Sequence, residues 1–167
     1  MTLANWITLS RIAAVPLVVM LLPLQPWIAA IGFVLICSTD FVDGFVARKM
    51  NQVTTLGKLI DPLADKILVI TFLLYFIKEA RISYVFVAII VIRELAVSAL
   101  RTLAALENQV IKADSLGKIK TVWQYLTLIW MIMAWPSENV FIYVMVLLTV
   151  ISGLNYFWVN RGVLKYG

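Results

Sequence analysis

Apolar residues run through this chain in blocks of about twenty, separated by short polar or proline-bearing breaks. A helix rises about 1.5 Å per residue, so such a block matches the roughly 30 Å hydrocarbon core of a bilayer. The pattern predicts six helices, at about residues 6–24, 26–48, 58–78, 82–106, 117–135 and 138–160. Each break carries turn chemistry. Pro23 and Pro26 bracket the first, and 49–55 is polar. Residues 79–81 form a short charged turn, 107–115 collect polar groups, and Pro136-Ser137-Glu138 marks the last break. No linker or repeat interrupts the series, so a single domain over 1–167 is expected.

Composition turns these helices into membrane spans. The chain is 63% hydrophobic with a mean hydropathy of +0.97, against roughly 45–50% apolar residues in a soluble domain. The expected fold is an all-α integral membrane bundle of six transmembrane helices. Arg11, Arg48, Lys49, Lys58, Lys112, Lys118, Lys120, Arg161 and Lys165 fall on one side, and only Lys78 and Arg81 on the other. By the positive-inside rule both termini are cytoplasmic. The net charge of +5 then reflects loops, anionic lipid and substrate, and no nucleic acid partner is expected. One cysteine excludes an internal disulfide. The absence of histidine excludes imidazole catalysis and ligation, so any metal must be a hard, oxygen-bound cation.

Against this background, Asp40, Asp43, Asp61 and Asp65 stand out. A carboxylate inside a bilayer costs roughly 2.5–3.5 kcal/mol on insertion scales, and four together repel one another. Asp40 and Asp43 share one helix face, and Asp61 and Asp65 share a face of the next helix. An antiparallel hairpin brings all four to one level beneath the cytoplasmic surface, where divalent metal is the obvious counter-charge. A cation pathway in a transporter is the alternative from another class. Paired broken helices in two half-chains would mark it, and no such repeat is apparent.

Written out, the segment is Asp40-x2-Asp43-Gly44-x2-Ala47-Arg48-x8-Gly57-x3-Asp61-x3-Asp65. It resembles the signature of the CDP-alcohol phosphotransferase family at every defining position. The resemblance implies a six-helix membrane enzyme, a homodimer, that binds two divalent cations (Mg²⁺ or Mn²⁺). It would transfer a phosphatidyl group from CDP-diacylglycerol to an alcohol and release CMP. Asp40, Asp43 and Asp61 would be metal ligands, and Asp65 would add general-base duty. Asp43, Gly44, Ala47, Arg48 and Gly57 would contact CDP-diacylglycerol, with Asn5 and Thr8 nearby. The setting would be a bacterial inner (cytoplasmic) membrane, with the site facing the cytoplasm and membrane lipid around it. Small residues at 44, 47 and 57 have a second reading as close helix packing, and Asn5 and Thr8 as a helix start.

A basic set bears on the acceptor. Arg93 and Glu94 sit mid-span, Arg101 follows at i+8, and Lys118 and Lys120 open the fifth helix. Cations beside an acidic site suit an acceptor that carries phosphate. Ile92-Arg93-Glu94-Leu95, Gly117-Lys118-Ile119-Lys120-Thr121 and the amino-terminal 5–11 segment look like the branch of that family that makes phosphatidylglycerophosphate. Arg93, Arg101 and Lys118 are therefore expected to bind the phosphate of sn-glycerol 3-phosphate. Inositol phosphate, serine and phosphatidylglycerol are the alternative acceptors. Arg93 also has a reading as one half of an intramembrane ion pair, with Glu94 directed elsewhere because adjacent helix residues do not face each other. Lys118 and Lys120 have a reading as positive-inside residues.

Overall fold

The computed structural model describes the backbone of residues 3–49, 55–106 and 115–161. Side chains are described there except at 3–5, 7, 40–49, 55–59, 61, 62 and 106. All regular structure among these residues is helical: α1 (Leu3–Leu21), α2 (Pro26–Lys49), α3 (Thr55–Lys78), α4 (Tyr84–Leu106), α5 (Ser115–Ile132) and α6 (Glu138–Val159).

The six expected helices are present, with shifted edges. The first ends at Leu21 rather than 24. Pro23 cannot donate to a continuing helix, and the Leu24 and Gln25 N–H groups close back onto the Leu21 carbonyl at 3.1 and 2.8 Å. Pro26 then starts α2, where a missing N–H is harmless. The fourth helix starts at Tyr84 rather than 82 because Ser83 caps it. Its Oγ accepts the Val85 N–H at 3.3 Å, and its carbonyl accepts Phe86 N–H at 3.1 Å. The fifth ends at Ile132 rather than 135. Ala134 enters the left-handed region at φ 50°, which stops the helix, and its N–H bonds the Met131 carbonyl at 3.1 Å.

The chain divides into two compact units, Met1–Phe76 with Leu128–Ala134, and Ile77–Thr127 with Trp135–Gly167. In the first, α1 packs on α2. Gly32 permits the approach: a Cβ there would stand 3.0 Å from a Val18 methyl. Val15, Ala29, Phe33, Leu68, Phe72 and Leu73 are buried. In the second, α4 packs on α6, and Val97, Leu100, Ala104 and Tyr156 form a buried cluster covered by Phe157.

Large apolar side chains cover much of the outside, and several polar ones lie within the hydrophobic core. Leu17, Met20, Trp27, Leu35, Ile92, Leu147, Leu154 and Trp158 are exposed, whereas Thr8, Arg11, Lys120, Gln124, Thr127, Thr149 and Ser152 are buried. Exposed apolar surface on this scale fits a lipid solvent. Of the described residues, one helix, α6, is both long and apolar enough to cross a membrane. The α4 helix has the length but carries Arg93, Glu94 and Arg101.

Candidate functional site

The α2–α3 pair supplies the acids. Phe33 of α2 and Phe72 of α3 meet edge to face, with centroids 5.0 Å apart. Phe33 lies about 24 Å along α2 from its end at Lys49, and Phe72 about 25 Å along α3 from its start at Thr55. The five intervening residues reach at most roughly 22 Å. A parallel pairing would need about twice that reach, so the two helices form an antiparallel hairpin. Positions 40 and 65 are each two turns from an interlocked phenylalanine, toward the linked ends, and fall on that phenylalanine's face. Positions 40, 43, 61 and 65 all lie within about 10–17 Å of the aromatic contact along their helices. The antiparallel hairpin therefore places the four acid positions between the aromatic contact and the linked ends of the two helices.

Asp65 is the motif acid with a described side chain, and it retains 38% of its accessible surface. Arg11 of α1 reaches it, Nη1 to Oδ1, at 3.5 Å, and the arginine side chain is only 2% exposed. Thr8, one turn before Arg11, is buried as well. Asp40, Asp43, Gly44, Ala47 and Arg48 occupy helical positions in α2, and Gly57 and Asp61 in α3. Their side-chain surroundings, and those of Asn5 in α1, lie outside the described residues.

The second unit holds the basic set. Arg93 and Glu94 do meet, Nη1 to Oε1 at 3.3 Å, contrary to the expectation that neighbours on a helix point apart. The arginine stem is long enough to curl round its own helix, and Lys120 of α5 donates to the same Glu94 oxygen. One carboxylate oxygen thus takes a cation from its own helix and one from α5. The cluster is nearly sealed, with side-chain exposures of 12% for Arg93, 14% for Glu94 and 2% for Lys120. Lys118 is exposed. Residues 118 and 120 are about 200° apart around α5, so both cannot face inward. Arg93 Nη2 lies 3.7 Å from where a Gly117 Cβ would stand, which sets its guanidinium against the first turn of α5. Arg101 is exposed, and its Nε donates to the Tyr156 hydroxyl at 3.0 Å.

Comparison with known proteins adds a third line. Residues 1–151 match the CDP-alcohol phosphatidyltransferase family. A Bacillus subtilis protein named CDP-diacylglycerol–glycerol-3-phosphate 3-phosphatidyltransferase is 36% identical, over 98% of this chain and 97% of its own. Proteins of the same name from Rickettsia bellii and Yersinia enterocolitica are 34% and 30% identical. They cover 93% and 95% of this chain, and 93% and 90% of their own lengths. This chain belongs to the CDP-alcohol phosphatidyltransferase family.

Two features of this family member escaped the sequence reading. Arg11 enters the reading only as a positive-inside residue and part of an amino-terminal match, yet it partners a motif acid. The signal was available: a cation on an apolar helix needs a counter-ion. Lys120 stands beside Lys118 in the sequence, and periodicity alone does not say which faces inward. Its nearly complete burial against Glu94 does.

Proposed function

We propose that this chain transfers a phosphatidyl group from CDP-diacylglycerol to sn-glycerol 3-phosphate, giving phosphatidylglycerophosphate and CMP. The observation that carries this reading is the near full-length likeness to relatives that bear one enzyme name. The opposed charges of the acid motif and the basic set support it.

The reading extends to setting and assembly. The chain is a single catalytic domain of six spans with both termini cytoplasmic, in a bacterial inner membrane and as a homodimer. The basic-residue asymmetry and the exposed apolar surface support the membrane part. Asp40, Asp43, Asp61 and Asp65 would hold two divalent cations, Mg²⁺ or Mn²⁺. The donor chemistry fits: the ligands are carboxylates, the chain has no imidazole, and Asp65 stays accessible even with Arg11 beside it. Bound cations would supply neutralisation of the diphosphate and of the leaving CMP.

The protein's own groups do the rest. Gly44, Ala47 and Gly57 leave room for a flat base against the helix backbones, with Asn5 and Thr8 nearby, and Arg48 offers a fork to phosphate. Arg93 and Arg101 hold the acceptor's phosphate by charge-assisted hydrogen bonds, and Lys118 adds positive charge on the exposed face of α5. Asp65 accepts the proton of the acceptor hydroxyl. The hydroxyl oxygen bonds to the β-phosphorus, the bond from that phosphorus to the bridging oxygen breaks, and CMP departs with the electron pair.

The test is a labelled CDP-diacylglycerol assay on purified chain in lipid. The panel is glycerol 3-phosphate, inositol phosphate, serine and phosphatidylglycerol. Label should appear in phosphatidylglycerophosphate. Faster turnover of serine or inositol phosphate would reassign the acceptor and leave the phosphatidyl transfer standing.

A further inference from the structure

We propose that α6, which has no charged residue from Asn139 to Val159, positions both acceptor arginines: Gly153 seats the stem of Arg93 and Tyr156 clamps Arg101. The inference rests on the reading of Arg93 and Arg101 as acceptor-binding residues. Both α6 positions lie beyond residues 1–151, where the family match ends.

Gly153 and Tyr156 are three residues apart and share one face of α6, and both are buried. A Cβ at 153 would stand 3.0 Å from Arg93 Cγ and 3.9 Å from its Nε. Any side chain there would push the arginine stem away. Arg93 Nε is buried with no hydrogen-bond partner among the described residues. Among the described residues its place is therefore set by packing against α6 and by the Glu94 contact at Nη1.

Arg101 is exposed, and an exposed arginine samples many rotamers. Tyr156 removes that freedom twice. Its hydroxyl accepts Arg101 Nε at 3.0 Å, and its ring lies under the guanidinium, with Cζ 5.4 Å from the centroid. With Nε committed to the tyrosine, the guanidinium presents its Nη fork, the geometry that grips phosphate. Tyr156 is itself 1% exposed and packs with Val97, Leu100 and Ala104 of α4, so the clamp is rigid. It touches the arginine and not the reacting atoms, which makes it a positioning residue.

The experiment measures KM for each substrate with full-length protein in lipid, for Tyr156→Phe, Gly153→Ala, Arg93→Gln, Arg101→Gln and the Tyr156→Phe/Arg101→Gln double variant. Tyr156→Phe loses only the hydroxyl. It should raise KM for glycerol 3-phosphate by about 3- to 10-fold, the effect of one hydrogen bond. KM for CDP-diacylglycerol and kcat should stay unchanged. Gly153→Ala should raise the same KM at least as much. In the Arg101→Gln background the phenylalanine should add nothing, because the tyrosine acts through that arginine. If neither arginine variant moves the glycerol 3-phosphate KM, the acceptor reading itself fails. If the arginine variants raise it and Tyr156→Phe and Gly153→Ala do not, that reading stands and the positioning role is wrong. A Tyr156→Phe effect equal on both substrates, or additive with Arg101→Gln, is a general packing effect and also overturns it. Should Gly153→Ala fail to fold, Tyr156→Phe decides alone.

Discussion

The Arg11–Asp65 pair and the Arg93–Glu94–Lys120 cluster are both ion contacts among apolar helices, but their imbalances have opposite sign. In the first unit one buried arginine meets one acid that is over a third exposed, and the motif holds three further acids and Arg48. In the second one largely buried carboxylate serves two cations, with Arg101 and Lys118 in addition. A buried charge with an internal partner serves the fold. On the function proposed above, cations would meet the motif carboxylates, and the acceptor's phosphate would meet the guanidinium and ammonium groups.

The largest effect should come from the acid surplus. Asp61→Asn keeps the side-chain volume and removes one charge. Activity should fall at least about 1000-fold, or about 4 kcal/mol of transition-state stabilisation, while membrane insertion is unchanged. Chelation should abolish wild-type turnover, and Mg²⁺ or Mn²⁺ should restore it. Full activity in chelated protein would remove the cation from the account of the first unit.

The cation-rich cluster should respond mainly in stability. Glu94→Gln leaves Lys120 and Arg93 buried without their shared counter-charge, and breaking a buried pair costs about 3–5 kcal/mol. The thermal unfolding midpoint should drop sharply. The Glu94→Gln/Lys120→Met double variant removes one cation with the acid and should recover part of the loss. A double variant as unstable as Glu94→Gln would mean that the two residues are not energetically coupled.

Much of this arrangement was legible in the sequence, and the unread part has a physical cause. Six apolar blocks gave six helices because block length and turn chemistry are local properties. The edges moved where capping decided them, at Ser83 and Ala134. The acid positions fall on one side of the Phe33–Phe72 contact because residue spacing along a hairpin fixes distance along it. Residue spacing does not say which groups meet across helices. Arg11 meets Asp65, Lys120 meets Glu94, and Tyr156 holds Arg101, and each of these pairings joins residues at least 26 positions apart. Whether Lys118 or Lys120 faces inward depended on the rotation of α5, which its weak apolar periodicity left open.

Arg11 tests the other half of the comparison. Its contact with Asp65 is longer and its partner more exposed than in the second unit, so the effect should be smaller. Arg11→Gln should cost about 1.5 kcal/mol of stability, near the lower bound for a hydrogen bond to a charged group, read as a lower unfolding midpoint. Arg11→Lys should recover part of it by restoring the charge without the fork. Equal loss in both variants would assign Arg11 to shape rather than charge.

The smallest effect should come from a third ion pair with the same chemistry in a wetter place. Arg81, in the turn between α3 and α4, grips Glu138 at the start of α6 with two donors, its Nε at 3.1 Å. The side chains keep 26% and 22% of their surface, about twice the exposure at Arg93 and Glu94. No motif residue is adjacent in sequence. Water screens such a pair and replaces its hydrogen bonds when it breaks, so Arg81→Met should cost about 0–1 kcal/mol. Neither substrate's KM should move, and the unfolding midpoint should fall slightly, less so at high salt. If Arg81→Met instead destabilised the protein as much as Glu94→Gln, burial would not be what separates these clusters. The contrast between charge committed to the fold and charge left for a ligand would then lose its physical basis.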